Sequence, residues 1–420
     1  MQGDPIKIFY AFLKEELNQK SDGLLRSSFR AAGYLFLIPF AMLILITVRL
    51  MRPFVLIRFG PLFSRRIGHF AINTELYLCR RNGRVNQKHL LHIFYYQKPI
   101  CNAQLGKMWN RILHISPFFR LTGLADRLNR KLPGGAKYII PMPLKGCRDT
   151  EGLLAETPAH IWFTQKEKKL GQGELLKMGI PEEAAFVCLH ARDSTYLNTL
   201  YPNHYWHDHD YRNCTVQNYI PAMQKLASRG YFIVRMGAIV KEPLKTDNPK
   251  IIDYATKYRT DFLDIYLSAK CRFFLGSGSG IDEVPKIFRR PEAYVNFIPI
   301  EVIHTWSPVV VLIPKKLWLR RERRFLTFRE ILDSGIGRFG KEESGQYEKL
   351  GLDIIENTPD EISDLVIEMD ERLKGVWRSS EEDEDLQRRF WSLFKPSHLQ
   401  GKIVSRIGAQ FLRQNSQLLE

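Results

Sequence analysis

Small and charged residues follow two apolar segments of this chain, and their types suit the binding of a phosphate. The run 271–275 leads into Gly276-Ser277-Gly278-Ser279-Gly280, and the run 185–189 leads into His190-Ala191-Arg192. A turn of small residues exposes backbone N–H groups, and a planar guanidinium can donate two parallel hydrogen bonds to one phosphate. The turn, His190 and Arg192 therefore predict a site for a phosphate or a diphosphate.

Two carboxylates precede the glycine-serine turn. Asp261 and Asp264 lie one helical turn apart in a segment, 261–269, whose apolar pattern predicts a helix. We expect both side chains to face the crevice at the carboxyl ends of a parallel sheet, where α/β folds bind ligands. They are predicted to contact the ligand together with the turn.

The polar segment 204–213 has two interpretations. Its three histidines and the pair Asp208-x-Asp210 contain ligand types that hold a divalent metal. Adjacent ligands cannot all face one point, however, so a polar loop before the predicted helix 218–229 is favoured. We therefore predict no metal site, and we expect Arg212 of this loop to face the diphosphate.

Gly68-His69 opens a predicted helix, 70–79, that follows the apolar strand 54–60. A histidine at this place could act as a catalytic base. The alternative is a simple role at the start of the helix. His69 and Arg192 are the predicted catalytic residues.

Strands alternate with helices along most of the chain. The predicted strands lie at 54–60, 91–95, 137–141, 185–190, 231–236, 251–253, 271–275 and 292–297. This alternation predicts doubly wound parallel sheets, and hence an α/β protein with two Rossmann-like domains. We expect a first domain at 53–165, a second domain at 166–365 that carries the ligand crevice, and C-terminal helices at 366–420. The acidic run 379–385 is expected as an exposed loop, and the arginine-rich run 320–324 as a solvated helix face.

The first 52 residues are predicted to associate with a membrane. Segment 31–48 carries no charge over 18 residues and has Pro39 near its centre, and arginines flank it on both sides. A span, a half-inserted hairpin and an interfacial helix all fit this pattern. The alternative is a buried core helix.

The net charge and the cysteines indicate the type of binding partner and the cellular compartment. The formal net charge of +17 favours an anionic partner, namely a phosphate-bearing ligand, an acidic membrane surface or nucleic acid. The basic residues are scattered or gather near the apolar segment, which favours the membrane over nucleic acid. None of the six cysteines forms a Cys-x-x-Cys pair, a pattern typical of a reducing compartment.

His190-Ala191-Arg192 resembles the His-x-Arg motif of fucosyltransferases that act on core N-glycans, Nod factors and proteins. Asp264-Ile265-Tyr266-Leu267-Ser268-Ala269, with the turn that ends at Ser279-Gly280, resembles their late motif. The span of about 186–299 is still more similar to an uncharacterised family of bacterial glycosyltransferases. The resemblance to that family implies a GT-B-like transferase that needs no metal. It also implies that 53–165 is the acceptor domain and that 166–365 is the nucleotide-sugar-binding domain. By the fucosyltransferase motif, Arg192 would grip the β-phosphate, while His190 and Asp264 would hold the base.

These observations together predict a metal-independent glycosyltransferase of hexosyl or fucosyl type. Its donor would be a nucleotide-diphosphate sugar, possibly GDP-linked, and no other cofactor is expected. The acceptor would be a glycan, a lipid or a protein at the cytoplasmic side of the inner membrane. The alternatives are a non-catalytic protein that binds a nucleotide or phosphosugar, and a nucleic-acid-binding protein.

Overall fold

The computed structural model describes residues 24–82, 89–142, 148–203, 205–306, 309–395 and 402–420, in two compact units. The first unit comprises 1–66, 81–101 and 109–143. The second comprises 67–80, 102–108 and 144–420. The predicted domain boundaries at 52, 165 and 365 stay predictions.

The first unit contains a small parallel sheet. Strands β1 (Leu56–Leu62) and β2 (Leu90–Tyr96) pair in parallel along their whole length, and single parallel bridges add Ile139 and Ile115 at their edges. The strand predicted at 137–141 is therefore wrong apart from one bridge. The chain turns there instead, because Gly134 adopts a left-handed conformation and a 3-10 helix follows it.

The apolar segment near the N-terminus forms a helix, Leu24–Leu50, and contributes to the core of the first unit. Ala41, Leu45 and Val48 are buried in one cluster with Leu124 and Leu128 of helix Phe119–Lys131. Among the described helices, none is both long and apolar enough to cross a bilayer. The predicted membrane association stays a prediction, and residues 1–23 lie outside the described residues.

The second unit is built on a seven-stranded sheet in which all neighbouring strands are parallel. The strands of this unit are β3 (Phe186–Leu189), β4 (Phe232–Arg235), β5 (Ile251–Ile252), β6 (Phe274–Gly276), β7 (Glu292–Phe297), β8 (Val309–Pro314), β9 (Lys316–Leu319), β10 (Arg324–Phe325), β11 (Leu352–Ile355) and β12 (Arg406–Ile407). The order in the large sheet is β12-β8-β7-β6-β3-β4-β5. Strands β10, β9 and β11 form a separate antiparallel sheet.

The parallel sheet predicted for the second half of the chain is confirmed. Every residue of β3, β6 and β7 is buried, as expected for strands that are covered on both faces. The strand predicted at 271–275 begins later, at Phe274, because the N–H of Cys271 still bonds to Leu267 O and closes the preceding helix. The Rossmann-like character of the first unit stays a prediction.

Helices connect the strands and cover the sheet. Their bounds are Ile67–Asn82, Ala103–Trp109, Leu153–Glu156, Gln165–Lys177, Thr195–Leu200, Ile220–Ser228, Tyr254–Lys257, Asp261–Lys270, Glu283–Ile287, Phe328–Asp333, Gln346–Lys349, Pro359–Lys374, Glu381–Ser392 and Ala409–Gln414. Side-chain caps fix the first turn of several of them: Thr164, Thr327, Thr358 and Ser380 each form a capping box.

Two local predictions in the second unit are wrong. The acidic segment 379–385, expected as a loop, starts a helix, since Ser380 and Asp383 exchange the hydrogen bonds of a capping box. The arginine-rich segment 320–324, expected on a helix, forms the exposed turn between β9 and β10 with 320–323, and Arg324 begins β10.

Candidate functional site

Strands β3 and β6 are neighbours at the point where the strand order of the large sheet reverses. From β3 the chain proceeds through β4 to β5 on one side, and it returns with β6 on the other side of β3. A crevice forms at the carboxyl ends of strands at such a switch point. His190 follows β3 there and Ser277 follows β6, and the N–H of His190 donates to Leu275 O over 3.0 Å.

The glycine-serine turn is organised by a buried carboxylate, Asp282. Its Oδ2 atom accepts the backbone N–H groups of Ser277 and Ser279 over 3.1 and 2.7 Å, and its Oδ1 atom accepts the Ser279 hydroxyl over 2.8 Å. Gly276 must lack a side chain, because a Cβ there would lie 2.7 Å from Asp282 Oδ2. Two of the N–H groups that we expected to face a phosphate therefore bond within the protein.

His190 is joined to this turn by two serines. Its Nδ1 atom lies 2.9 Å from Ser279 Oγ, and its carbonyl accepts the Ser277 hydroxyl over 3.1 Å. The Ser277 oxygen also accepts the N–H of Arg192, over 3.1 Å. Burial lowers the pKa of His190, so that the ring is neutral at neutral pH. The predicted residues His190, Arg192, Ser277, Gly278, Ser279 and Gly280 thus lie together.

Arg192 is buried and its guanidinium donates to neutral acceptors. Nη1 donates to His209 O over 3.1 Å and to the side-chain oxygen of Asn213. Burial, with the nearby charge of Arg212, lowers the pKa of Arg192 to about 10, so the side chain stays positively charged at neutral pH. Burial of a charged guanidinium is energetically unfavourable, which argues against a purely structural role for Arg192.

Arg212 of segment 204–213 lies close to His209 and to the glycine-serine turn, and its predicted contact with a diphosphate stays a prediction. One of its terminal nitrogens is 2.6 Å from His209 Nδ1, and the other is 3.5 Å from Gly278 O in the turn. Burial, and then the charge of Arg212, lower the pKa of His209 to about 4. His209 is therefore neutral at neutral pH, and its Nδ1 atom accepts from the guanidinium.

Segment 204–213 is held by a buried lysine that sequence analysis missed. Lys315 Nζ donates to the carbonyls of Tyr211 and Asn213 over 3.2 and 2.6 Å, which fixes the backbone that carries Arg212. The two aspartates of this segment contact other side chains: Asp210 accepts from Asn213, and Asp208 lies 3.4 Å from the ammonium of Lys341. His204 lies outside the described residues.

His69 stands in the first turn of helix Ile67–Asn82, which begins three residues earlier than predicted. This part of the helix belongs to the second unit. A Cβ on Gly68 would lie 3.0 Å from the Cα of Gly280, so the two backbones touch and His69 is next to the point of contact. The structure therefore brings the predicted base close to the glycine-serine turn.

Asp261 and Asp264 are placed differently from the turn residues. Asp264 is buried and accepts from Tyr254 Oη over 2.7 Å and from Arg259 Nη2 over 2.8 Å. Asp261 accepts from the same Arg259 nitrogen and from the N–H of Ala103. These contacts hold the start of helix Asp261–Lys270, and the predicted contact of both aspartates with the ligand stays a prediction.

Asp282 is the main residue of the site that sequence analysis missed. A signal for it was present, because Ser279-Gly280-Ile281-Asp282 has the Ser-x-x-Asp spacing of a capping box. Sequence analysis also missed Lys286, which lies four residues further along the chain. Lys286 is fully buried, and its Nζ atom lies 2.9 Å from a carboxylate oxygen of Glu283 and 3.8 Å from one of Glu292. Contacts with both glutamates outweigh burial and raise the pKa of Lys286, so it stays charged.

One cluster in the second unit has the residue types of a metal site. The ligand atoms of Glu75, Cys79 and His160 all lie within 4.8 Å of one another. Arg289 supplies a cation to the same group: its Nη2 atom lies 2.7 Å from Glu75 Oε1 and 3.7 Å from Cys79 Sγ. The guanidinium therefore balances the carboxylate as a metal ion would.

Comparison with known proteins gives matches at the level of solved structures. No family model matches the chain, and no curated protein matches it. The chain is similar to the crystal structure of the glycosyl transferase family 9 protein from Veillonella parvula DSM 2008. That pair is 10% identical with a TM-score of 0.40, and the alignment covers 71% of this chain and 96% of that chain.

Two further structures come from E. coli. ADP-heptose LPS heptosyltransferase II is 12% identical with a TM-score of 0.33, over 57% of this chain and 84% of that chain. The iron-containing dodecameric glycosyltransferase TibC, from enterotoxigenic E. coli H10407, is 13% identical with a TM-score of 0.32, over 60% and 62%. Structural similarity with TM-scores of 0.32 to 0.40 carries no argument about function, which has to rest on the site itself. The resemblance to fucosyltransferases stays a prediction.

Proposed function

We propose that the protein is a glycosyltransferase whose nucleotide-sugar donor binds at the carboxyl ends of β3 and β6. The observation that carries this proposal is the pair of arginines at that point. Among the described residues, neither Arg192 nor Arg212 forms an ion pair with a carboxylate. Two adjacent positive charges without an acidic partner favour a ligand with two negative charges, such as a diphosphate.

Further donors support an anion at the same place. The Nε atom of Arg212 is buried and has no hydrogen-bond partner within the described part of the chain. A buried donor without a partner is unfavourable by about 1–3 kcal/mol, and a phosphate oxygen would relieve this. Asp282 already accepts the N–H groups of Ser277 and Ser279, so we propose that the turn contacts the ligand through Gly278 and Gly280.

The reaction follows from this charge distribution. The bond between the anomeric carbon and the diphosphate oxygen breaks, and the oxygen of an acceptor hydroxyl forms the new bond. The proton of that hydroxyl passes to a base, for which we propose His69. Arg192 and Arg212 stabilise the negative charge that develops on the leaving diphosphate, so the protein supplies the charge with its own side chains. We accordingly propose a metal-independent enzyme.

The finer assignments follow the sequence motifs. We propose a transfer of hexosyl or fucosyl type, with GDP as the candidate nucleotide, and with His190, Asp261 and Asp264 near its base. The acceptor would be a glycan, a lipid or a protein. We place the enzyme at the cytoplasmic side of the inner membrane, in contact with an anionic membrane surface.

A thermal-shift panel with UDP, GDP, CMP and their sugars tests the donor site. A ligand that binds only the native state raises the melting temperature by mass action. We expect one nucleotide sugar to stabilise the protein and Arg192→Ala to abolish the shift. The matched control is Arg290→Ala, which removes another part-buried arginine that donates to a carbonyl, Ala269 O.

Two results would count against the proposal. If no nucleotide or nucleotide sugar shifts the melting temperature, the arginine pair does not form a donor site. If a nucleotide sugar binds but releases no free nucleotide with any glycan, lipid or protein acceptor, the protein is a non-catalytic nucleotide or phosphosugar-binding protein.

A further inference from the structure

Helix Leu24–Leu50 has two apolar faces with different surroundings. One face is packed inside the first unit, where Ala41, Leu45 and Val48 are buried against helix Phe119–Lys131. Their spacing of four and three residues places them on one side of the helix. This side of the helix is therefore already covered by the protein's own side chains.

The other face is exposed. The side chains of Phe36, Leu43 and Leu50 are 70%, 62% and 71% exposed, and Phe40 lies between the first two. Positions 36, 40, 43 and 50 recur at helical spacing, so they form a stripe along one side of the helix, with exposed Thr47 between the last two. Phe54, 71% exposed, continues it just beyond the helix. A contiguous apolar surface of this kind marks an interaction site.

The unit that carries this stripe also carries most of the charge of the protein. Its residues contain 20 lysines and arginines against 5 aspartates and glutamates, a net charge of +15 out of +17 for the whole chain. Arg52 is exposed just after the helix, and Arg65 and Arg66 are exposed after β1 of the same unit. The second unit is nearly neutral by the same count, so the charge asymmetry coincides with the apolar stripe.

We propose that this face docks the protein onto an anionic lipid surface, with helix Leu24–Leu50 lying in the plane of the membrane. An apolar stripe inserts among acyl chains while adjacent arginines contact acidic headgroups. The packed face fixes the orientation, because only the exposed side of the helix can contact lipid. A second copy of the chain is a less favourable partner for this face, because the first units of the two copies, each with a net charge of +15, would repel each other.

This inference deepens the proposed membrane location and names the surface that makes the contact. The anionic lipid surface would contact the exposed side of the first unit. This contact does not depend on which nucleotide sugar occupies the second unit. The two proposals can therefore fail separately.

Flotation of the full chain with vesicles tests the docking. We expect binding to mixed phosphatidylcholine–phosphatidylglycerol vesicles, weaker binding to phosphatidylcholine alone, and release by salt. The triple variant Phe36→Gln, Leu43→Gln, Leu50→Gln should bind the mixed vesicles at least about a hundredfold more weakly. The matched control replaces Leu176 and Val376, both 58% exposed in the second unit, with glutamine and should bind normally.

Extraction separates the in-plane helix from other arrangements. Alkaline carbonate should release the bound protein, because the helix is not surrounded by lipid; retention in the membrane would overturn the in-plane arrangement. Unchanged vesicle binding by the triple variant would overturn the docking face. So would a dimer that binds no vesicles and dissociates in the triple variant, as measured by sedimentation. In every case the thermal shift with nucleotide sugars reports on the donor site independently.

Discussion

The Nδ1 atom of His190 lies 2.9 Å from the hydroxyl oxygen of Ser279, at the carboxyl ends of two neighbouring parallel strands. The same hydroxyl donates its proton to Asp282 Oδ1 over 2.8 Å. A hydroxyl has one proton to give, so His190 must donate its Nδ1 proton, which leaves Nε2 unprotonated in the neutral ring. The carboxylate thus sets the tautomer of the histidine through the serine.

Replacement of Asp282 by asparagine should weaken both the turn and the donor site. The amide keeps one acceptor oxygen, but its NH2 group would face N–H or O–H donors of the turn. About one or two buried donors would then lack an acceptor, which is unfavourable by roughly 1–3 kcal/mol each. We expect a loss of about 2–4 kcal/mol in the free energy of unfolding, measured by urea denaturation. We also expect a smaller thermal shift with the nucleotide sugar.

The control for this change is Asp333→Asn, an exposed aspartate on helix Phe328–Asp333. It should change the free energy of unfolding by less than about 0.5 kcal/mol. Equal stability of Asp282→Asn and the parent protein would show that the carboxylate does not organise the turn.

Arg192→Lys should bind the donor more tightly than Arg192→Ala and less tightly than the parent protein. Lysine keeps the positive charge but cannot donate in parallel from a planar fork. We expect losses in donor affinity of about tenfold for lysine and about a hundredfold for alanine, consistent with charge-assisted hydrogen bonds of roughly 1.5–3 kcal/mol. Calorimetric titration measures both. Parent-like affinity in the two variants would remove Arg192 from the site.

Acid should destabilise the second unit through His209. Burial and then Arg212 lower the pKa of this histidine to about 4, whereas the unfolded chain titrates near the ordinary value of about 6.5. Between these values the unfolded state binds the extra proton and the native state does not. Stability therefore falls as the pH falls from about 6.5 to about 4.

Urea denaturation at a series of pH values measures this dependence. His209→Gln should flatten the slope in that window, because glutamine does not titrate, whereas His114→Gln removes an exposed histidine and should leave the slope unchanged. The same slope in His209→Gln as in the parent protein would assign the acid sensitivity to another group.

Asp264→Asn separates a structural role from recognition of the base. The contacts with Arg259 and Tyr254 predict that this change lowers the free energy of unfolding by about 1–3 kcal/mol, because the half-buried Arg259 loses a carboxylate partner while it keeps Asp261. The sequence motif predicts an altered preference among nucleotides. Measurement of stability and of the thermal-shift panel on the same variant decides between them, and an unchanged preference would remove Asp264 from the donor site.

A chelator should leave donor binding and turnover unchanged. The positive charge at the site comes from Arg192 and Arg212, and Arg289 balances the one carboxylate of the Glu75–Cys79–His160 cluster. Activity assays before and after EDTA treatment test this. Loss of activity that manganese, magnesium or zinc restores would contradict it, and variants at Asp208 and at Glu75 would then locate the ion.

Much of the second unit was predictable because its determinants are local. Strands β3 to β7 appear as short apolar runs between turn residues, and the apolar pattern of 261–269 predicts helix Asp261–Lys270. His190 and Arg192 could be assigned to the ligand crevice because they directly follow a parallel strand. Each of these inferences needs only neighbours in sequence.

The sequence by itself therefore determined the alternation of strands and helices, and the residues that stand where β3 and β6 end. Only the tertiary structure decided which partners those residues take. Asp282 accepts hydrogen bonds from two N–H groups of the turn, and Arg259 donates a hydrogen bond to Asp264. In helix Leu24–Leu50, packing against Leu124 separates buried Leu45 from exposed Leu43. The physical reason is that hydrogen bonds and apolar burial depend on distances between segments remote in sequence, which periodicity and capping patterns do not encode.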